Sequence, residues 1–110
     1  MKVFDDEAIR DTEDHSSTSY TLDQMNATGI MKSIIYKNGL NKACSLQLQG
    51  SVDEAFTDPV DLGEAMSAAA SMSKALYDTF SDYFPFIRIV ATCAEAPTSG
   101  ALNVWVEPDW

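Results

Sequence analysis

The sequence predicts a mainly β chain: an antiparallel β-sandwich of about five to seven strands, with or without one helix around residues 64–80. Three observations carry this. Short segments rich in Val, Ile, Tyr and Phe recur along the chain, some with an apolar residue at every second position, the period of a strand with one buried face. Turn signals separate them at Asn38-Gly39, Gly50-Ser51, Asp58-Pro59 and Pro97 to Gly100. A chain of 110 residues, 45% of them hydrophobic, is enough for one small core and not for two.

Residues 1–19 stand apart as an acidic N-terminal arm, extended or flexible, ahead of a single sandwich domain over residues 20–110. The arm holds Asp5, Asp6, Glu7, Asp11, Glu13 and Asp14, then a polar run from His15 to Ser19; its few apolar residues are Val3, Phe4, Ala8 and Ile9. Such a segment cannot build a core of its own. Two readings follow: a solvated terminus, or an arm that orders against a neighbouring subunit through Val3, Phe4 and Ile9.

From Tyr20 the chain reads as strands. Ile30 to Lys37 is rich in β-formers, and Asn38-Gly39 ends it with residues that tolerate positive φ. Ala43 to Gln49 alternates cleanly, with Cys44, Leu46 and Leu48 on one side and Ser45, Gln47 and Gln49 on the other. Ser51 to Gly63 is a loop tethered by Phe56, with a short strand near Val60 to Leu62 as an option. In Glu64 to Phe80, Met66, Ala69, Ala70, Ser73, Leu76, Tyr77 and Phe80 recur at three- and four-residue steps, which predicts a helix, with Asp61 and Glu64 as a capping box. The competing reading is a strand near Ser67 and another near Ala75 to Phe80. Phe84 to Cys93 reads as a central strand, with Pro85 at its start. Residues 95–100 form a turn, and Ala101 to Val106 the last strand of a C-terminal hairpin.

Seventeen acids against seven bases leave a net charge of −10, which disfavours nucleic acid as a partner, because binding it needs Lys and Arg in place of counterions. Half of this charge is local: residues 1–23 carry seven acids and two bases. No apolar run is long enough to cross a membrane. The start lacks the apolar stretch of a secretory signal, so the sequon Asn26-Ala27-Thr28 is expected to be silent. Cys44 and Cys93 fit neither a zinc nor a CxxC spacing. They are expected to be small buried hydrophobes, or a disulfide if their strands face each other.

The chain is not expected to be an enzyme. Its single histidine, His15, lies in the arm, where packing does not promise the rigid placement that catalysis needs. No phosphate-loop, dinucleotide, zincin or nucleophile-elbow motif occurs. Asp53-Glu54 and Asp58 with Asp61 could supply paired carboxylates, but nothing sets Trp105 or Trp110 beside them as a sugar platform. No calcium-loop spacing is present. The expected sets of catalytic, cofactor-binding and metal-ligating residues are therefore empty. Arg88 is a full charge inside an apolar run, so it should meet a carboxylate, such as Asp82 or Asp78, emerge at a surface, or pair with a neighbouring subunit. Trp105 and Trp110 are candidate core plugs or interface anchors.

Three segments carry a resemblance. Leu46 to Asp53 (LQLQGSVD), followed by Phe56, resembles a strand and Gly-Ser-x-Asp turn of small β-sandwich proteins of tailed viruses. Glu54 stands where a glycine often follows that aspartate. Asp82 to Arg88 (DYFPFIR) resembles their Tyr-Pro-Tyr-x-Arg strand start, and Ala96 to Val106 (APTSGALNVWV) their closing turn and last strand. The resemblance spans about residues 46–106. It implies a virion structural protein, such as a capsid decoration (cement) protein, or alternatively a tail or fibre-base accessory protein of a bacteriophage. A viral capsid or tail protein and a second copy of the chain are the partners it implies. The place implied is the capsid exterior, after synthesis in the host cytoplasm. The candidate interface residues are then Val3, Phe4, Ile9, Arg88, Trp105 and Trp110. The competing class is a sandwich module binding a sugar or cell-surface ligand on Trp105, Trp110 and Tyr83.

Overall fold

A computed structural model describes residues 2–17, 19–21, 31–79 and 84–108. Two antiparallel sheets pack face to face as a β-sandwich. Sheet A runs β1 (Lys2–Glu7), β10 (Leu102–Pro108), β4 (Met31–Asn38), β8 (Met72–Thr79). Sheet B runs β2 (His15–Ser16), β9 (Phe86–Cys93), β5 (Cys44–Ser51), β6 (Val60–Asp61), with β3 (Tyr20–Thr21) also on β9 and β7 (Met66–Ala68) also on β5. The six long strands match the expected number. The two- and three-residue pieces add to it, being too short to show a period in sequence.

The alternation along β5 and β9 sets the inner face of sheet B: Cys44, Leu46 and Leu48 lie opposite Cys93, Ala91 and Ile89, all buried. Sheet A answers with Ile34, Tyr36, Leu102, Val104 and Val106. On β9 every second residue is only half-buried, so its continuous apolar run covers two unequal faces rather than a doubly buried strand.

The expected helix over 64–80 is not formed; among the described residues there is none. Met66–Ala68 pairs with Cys44 to Leu46, a turn follows with Ser71 at φ 54°, and Met72–Thr79 pairs with the whole of β4. The Ala-rich stripe favours a helix locally, but the open edges of β4 and β5 offer backbone partners that propensity, a weak prior, does not outweigh. The capping pair goes unused, since Asp61 lies in β6 and accepts from the Gln49 amide at 3.1 Å.

The division at residue 19 is absent too. The N-terminal segment needs no core of its own because it completes an existing one. Lys2, Phe4 and Glu7 of β1 stand opposite Trp105, Val104 and Leu102, with register shifts between them and Asp6 at φ 49°. Val3, Phe4 and Ile9 are buried in the shared core, while Asp5, Asp6, Asp11, Glu13 and Asp14 face outward.

The expected C-terminal hairpin is a crossing between sheets instead, and so is the turn signalled at Asn38-Gly39. Asn38 ends β4 in sheet A, and β5 begins in sheet B. The buried Asn38 amide donates to the carbonyls of Lys42, Ala68 and Ala69 and accepts from Leu40 N–H, which fixes the crossing. Neither Asn38 nor Gly39 takes positive φ, so this is not the hairpin turn that the pair suggests. Residues 94–101 likewise cross from β9 to β10. Gly100 takes φ 88° and lies so close to the Gly39 carbonyl that a Cβ would not fit.

Candidate functional site

On the outer face of sheet B, Arg88 of β9 lies opposite Gln49 of β5. Its Nε donates to Gln49 Oε1 at 3.0 Å, and the Gln49 amide passes the contact on to Asp61. The guanidinium sits 4.2 Å from the centre of the Phe56 ring, a cation–π contact strengthened by partial desolvation. The charge is thus met by an aromatic face and an amide. The side chains of Asp78 and Asp82, the expected partners, lie outside the described residues.

The loop that delivers Phe56 is built on Asp53. Its carboxylate accepts from the Thr57 hydroxyl at 2.6 Å, the Ser51 hydroxyl at 2.8 Å and Thr57 N–H at 3.1 Å. The Thr57 and then the Ser51 hydroxyl hold it below the usual carboxylate range. This lets Phe56 sit at φ 52°, a costly conformation for an aromatic residue. Phe56 is buried, yet it stands apart from the main core cluster. At the end of β5, Gly50 faces the Phe84 ring with no room for a Cβ: an added methyl would come within 2.6 Å of it. The first two signature segments therefore interlock twice, at Gly50–Phe84 and at Phe56–Arg88. The third is locked by Asn41, which donates to Thr98 Oγ1 at 2.7 Å and accepts from Thr98 N–H at 2.9 Å.

The outer face of sheet A differs. Trp105 is half-buried, and the Lys2 ammonium lies 5.1 Å from its ring centre while pairing with Asp5 at 2.9 Å. Ile35, opposite Trp105 in the register, is 37% exposed. Asn103 clasps Asp6 through the Asp6 N–H and its carboxylate.

Of the candidate interface residues, Val3, Phe4 and Ile9 are core residues, Arg88 and Trp105 lie on opposite outer faces, and Trp110 lies outside the described residues, as does Tyr83. His15 Nε2 meets Asp11 Oδ1 at 2.7 Å, which lowers the Asp11 pKa. Among the described residues, no three His, Cys, Asp or Glu side chains gather as a metal site, and no helix is long and apolar enough to cross a membrane. Sequence reasoning missed Gln49 and Lys2, whose roles depend on cross-strand register. It could have paired Phe56 with Arg88, since an arginine in an apolar run needs a partner.

At one end of the β5–β9 pair, Cys44 and Cys93 face each other with Sγ atoms 2.8 Å apart. Burial, then the Cys93 thiol beside it, pushes the Cys44 thiol up to about 12. An open depression of about 370 Å³ lies at this end, lined by Ala43, Cys44, Ser45, Ser67, Thr92 and Ala94.

Against known proteins, no family model, no curated sequence and no solved structure matches the chain.

Proposed function

We propose that the chain is a non-enzymatic virion structural protein, a capsid decoration (cement) protein that stabilises a shell by contacts between subunits. The observation that carries this reading is how the three signature segments are used. Their polar and aromatic residues are spent on fixing loops: Asp53 on its own turn, Phe56 on Arg88, Thr98 on Asn41. That is the economy of a scaffold, whose work is buried area rather than chemistry.

The contact surface then shifts from the arm to sheet A. Val3, Phe4 and Ile9 serve this chain's own core, whereas Trp105 is half-buried and Ile35 exposed on the outer face beside the two edge strands β1 and β8. Tryptophan in such a setting is a typical interface anchor, and strand edges can add pairing between copies. The acidic outer side chains of residues 5–14 favour a basic groove on the capsid neighbour. A sugar-binding role for Trp105 is less well supported, because a stacked sugar on the face holding Lys2 would have to displace its ammonium.

Antibodies raised against the full chain and applied to purified virus particles test the reading. Gold label over the shell supports it. Label confined to tails replaces it with a tail or fibre-base accessory role, and absence of label from particles overturns it. Light scattering on the purified chain should show an oligomer that Trp105→Ala weakens.

A further inference from the structure

We propose that Cys44 and Cys93 form an oxidation site: a dithiol that closes into one cross-strand disulfide, with Cys44 meeting the oxidant and Cys93 resolving it. Three features of the fold place them for this. They are direct register partners in an antiparallel pair, where Cα atoms stand about 4.5 or 5.5 Å apart, inside the range that a disulfide spans. Both side chains project to the same inner face, buried, with sulfur atoms in contact at 2.8 Å. The two are not equivalent, because Cys44 keeps 2% of its surface exposed whereas Cys93 keeps none.

The oxidant is of the peroxide class. The Cys44 thiolate attacks one peroxide oxygen, the O–O bond breaks, and water leaves after protonation, with a sulfenic acid left on Cys44. The Cys93 sulfur then displaces that hydroxyl as a second water, and the S–S bond forms. Two thiols and one hydrogen peroxide become one disulfide and two waters, with two electrons passing from sulfur to oxygen. Because only the thiolate attacks, and Cys44 is held protonated by burial, the first step is slow near neutral pH. It should accelerate about tenfold per pH unit through the neutral and mildly alkaline range, as more thiolate forms. The product closes a loop between residues 49 apart in sequence and staples β5 to β9. The inference does not depend on the proposed function.

The test uses the full-length folded chain and hydrogen peroxide. Thiol titration and intact mass should show the loss of both thiols and of two hydrogens, with no disulfide-linked dimer on a non-reducing gel. The melting temperature should rise by at least about 10 °C and fall back with dithiothreitol. In Cys93→Ala, dimedone should trap a sulfenic acid on Cys44, whereas in Cys44→Ala residue 93 should stay unmodified. Three results overturn the proposal: both thiols persisting in folded wild-type protein, oxygen addition without loss of hydrogen, or cross-linking only between chains. Dimedone labelling at Cys93 in Cys44→Ala at the rate seen for Cys44 overturns the assignment of roles. The wild-type measurements decide the matter even where a variant fails to fold.

Discussion

Sheet B roofs part of its outer face with its own chain, whereas sheet A leaves a tryptophan and an isoleucine at its surface. Over β5 and β9 the loop from Ser51 to Thr57 folds back, places Phe56 on Arg88 and fixes itself through Asp53. Over β10 and β4, among the described residues, Lys2 reaches across Trp105, and Ile35 stays open. Inner faces of a sandwich must match one another, so both sheets bury theirs alike. Outer faces are free to differ: sheet B is partly roofed by its own loop, with Val52 on that loop and Val60 on β6 left exposed, whereas sheet A keeps Trp105 half-buried and Ile35 open.

The largest effect expected along this comparison falls on neither outer face but on the edge of sheet A. Phe4→Ala should cost about 3–5 kcal/mol in urea unfolding, because Phe4 is part of the shared core. A loss below about 1 kcal/mol would mean that β1 is a detachable arm after all. On the inner face of sheet B, reduced protein should lose stability as pH rises from 9 towards 12. The unfolded Cys44 thiol ionises from about 9, while the folded one keeps its proton to about 12; the unfolded state thus binds fewer protons. The slope should reach about 1.4 kcal/mol per pH unit and shrink in Cys44→Ala.

Gly50→Ala should cost about 1–3 kcal/mol by driving a methyl into the Phe84 ring, and Phe84→Leu in the same chain should recover part of it. A double-mutant cycle of Arg88→Met with Phe56→Leu should return a coupling of about 0.5–2 kcal/mol. A coupling near zero would make the roof of sheet B incidental. Trp105→Ala should move folding stability least, by about 1 kcal/mol, and weaken self-association or shell binding by tenfold or more. The opposite pattern would place Trp105 in the fold rather than at an interface.

Much of the strand content was legible because burial leaves a period. Cys44, Leu46 and Leu48 alternate with polar residues, and Phe86 to Ala91 is a nearly continuous apolar run, so β5 and β9 could be drawn from sequence. The stretch over 66–79 misled because alanine and serine at three- and four-residue steps satisfy a helix and two strands equally well. The N-terminal segment misled because its acids dominate its composition while Val3, Phe4 and Ile9 do the packing. The site at Arg88 was legible as a problem, a charge needing a partner, but not as a solution.

By itself the sequence determined the class of the fold, the position of most long strands, the turn-rich segments between them and an acidity concentrated near the N-terminus. These are local properties, written in period, turn chemistry and charge. Only the tertiary structure decided which sheet each strand joins, that residues 38–44 and 94–101 cross between sheets, that the N-terminal residues complete the core, and that Cys44 meets Cys93. Those outcomes rest on backbone hydrogen bonds and packing between residues far apart in the chain, which no local pattern encodes.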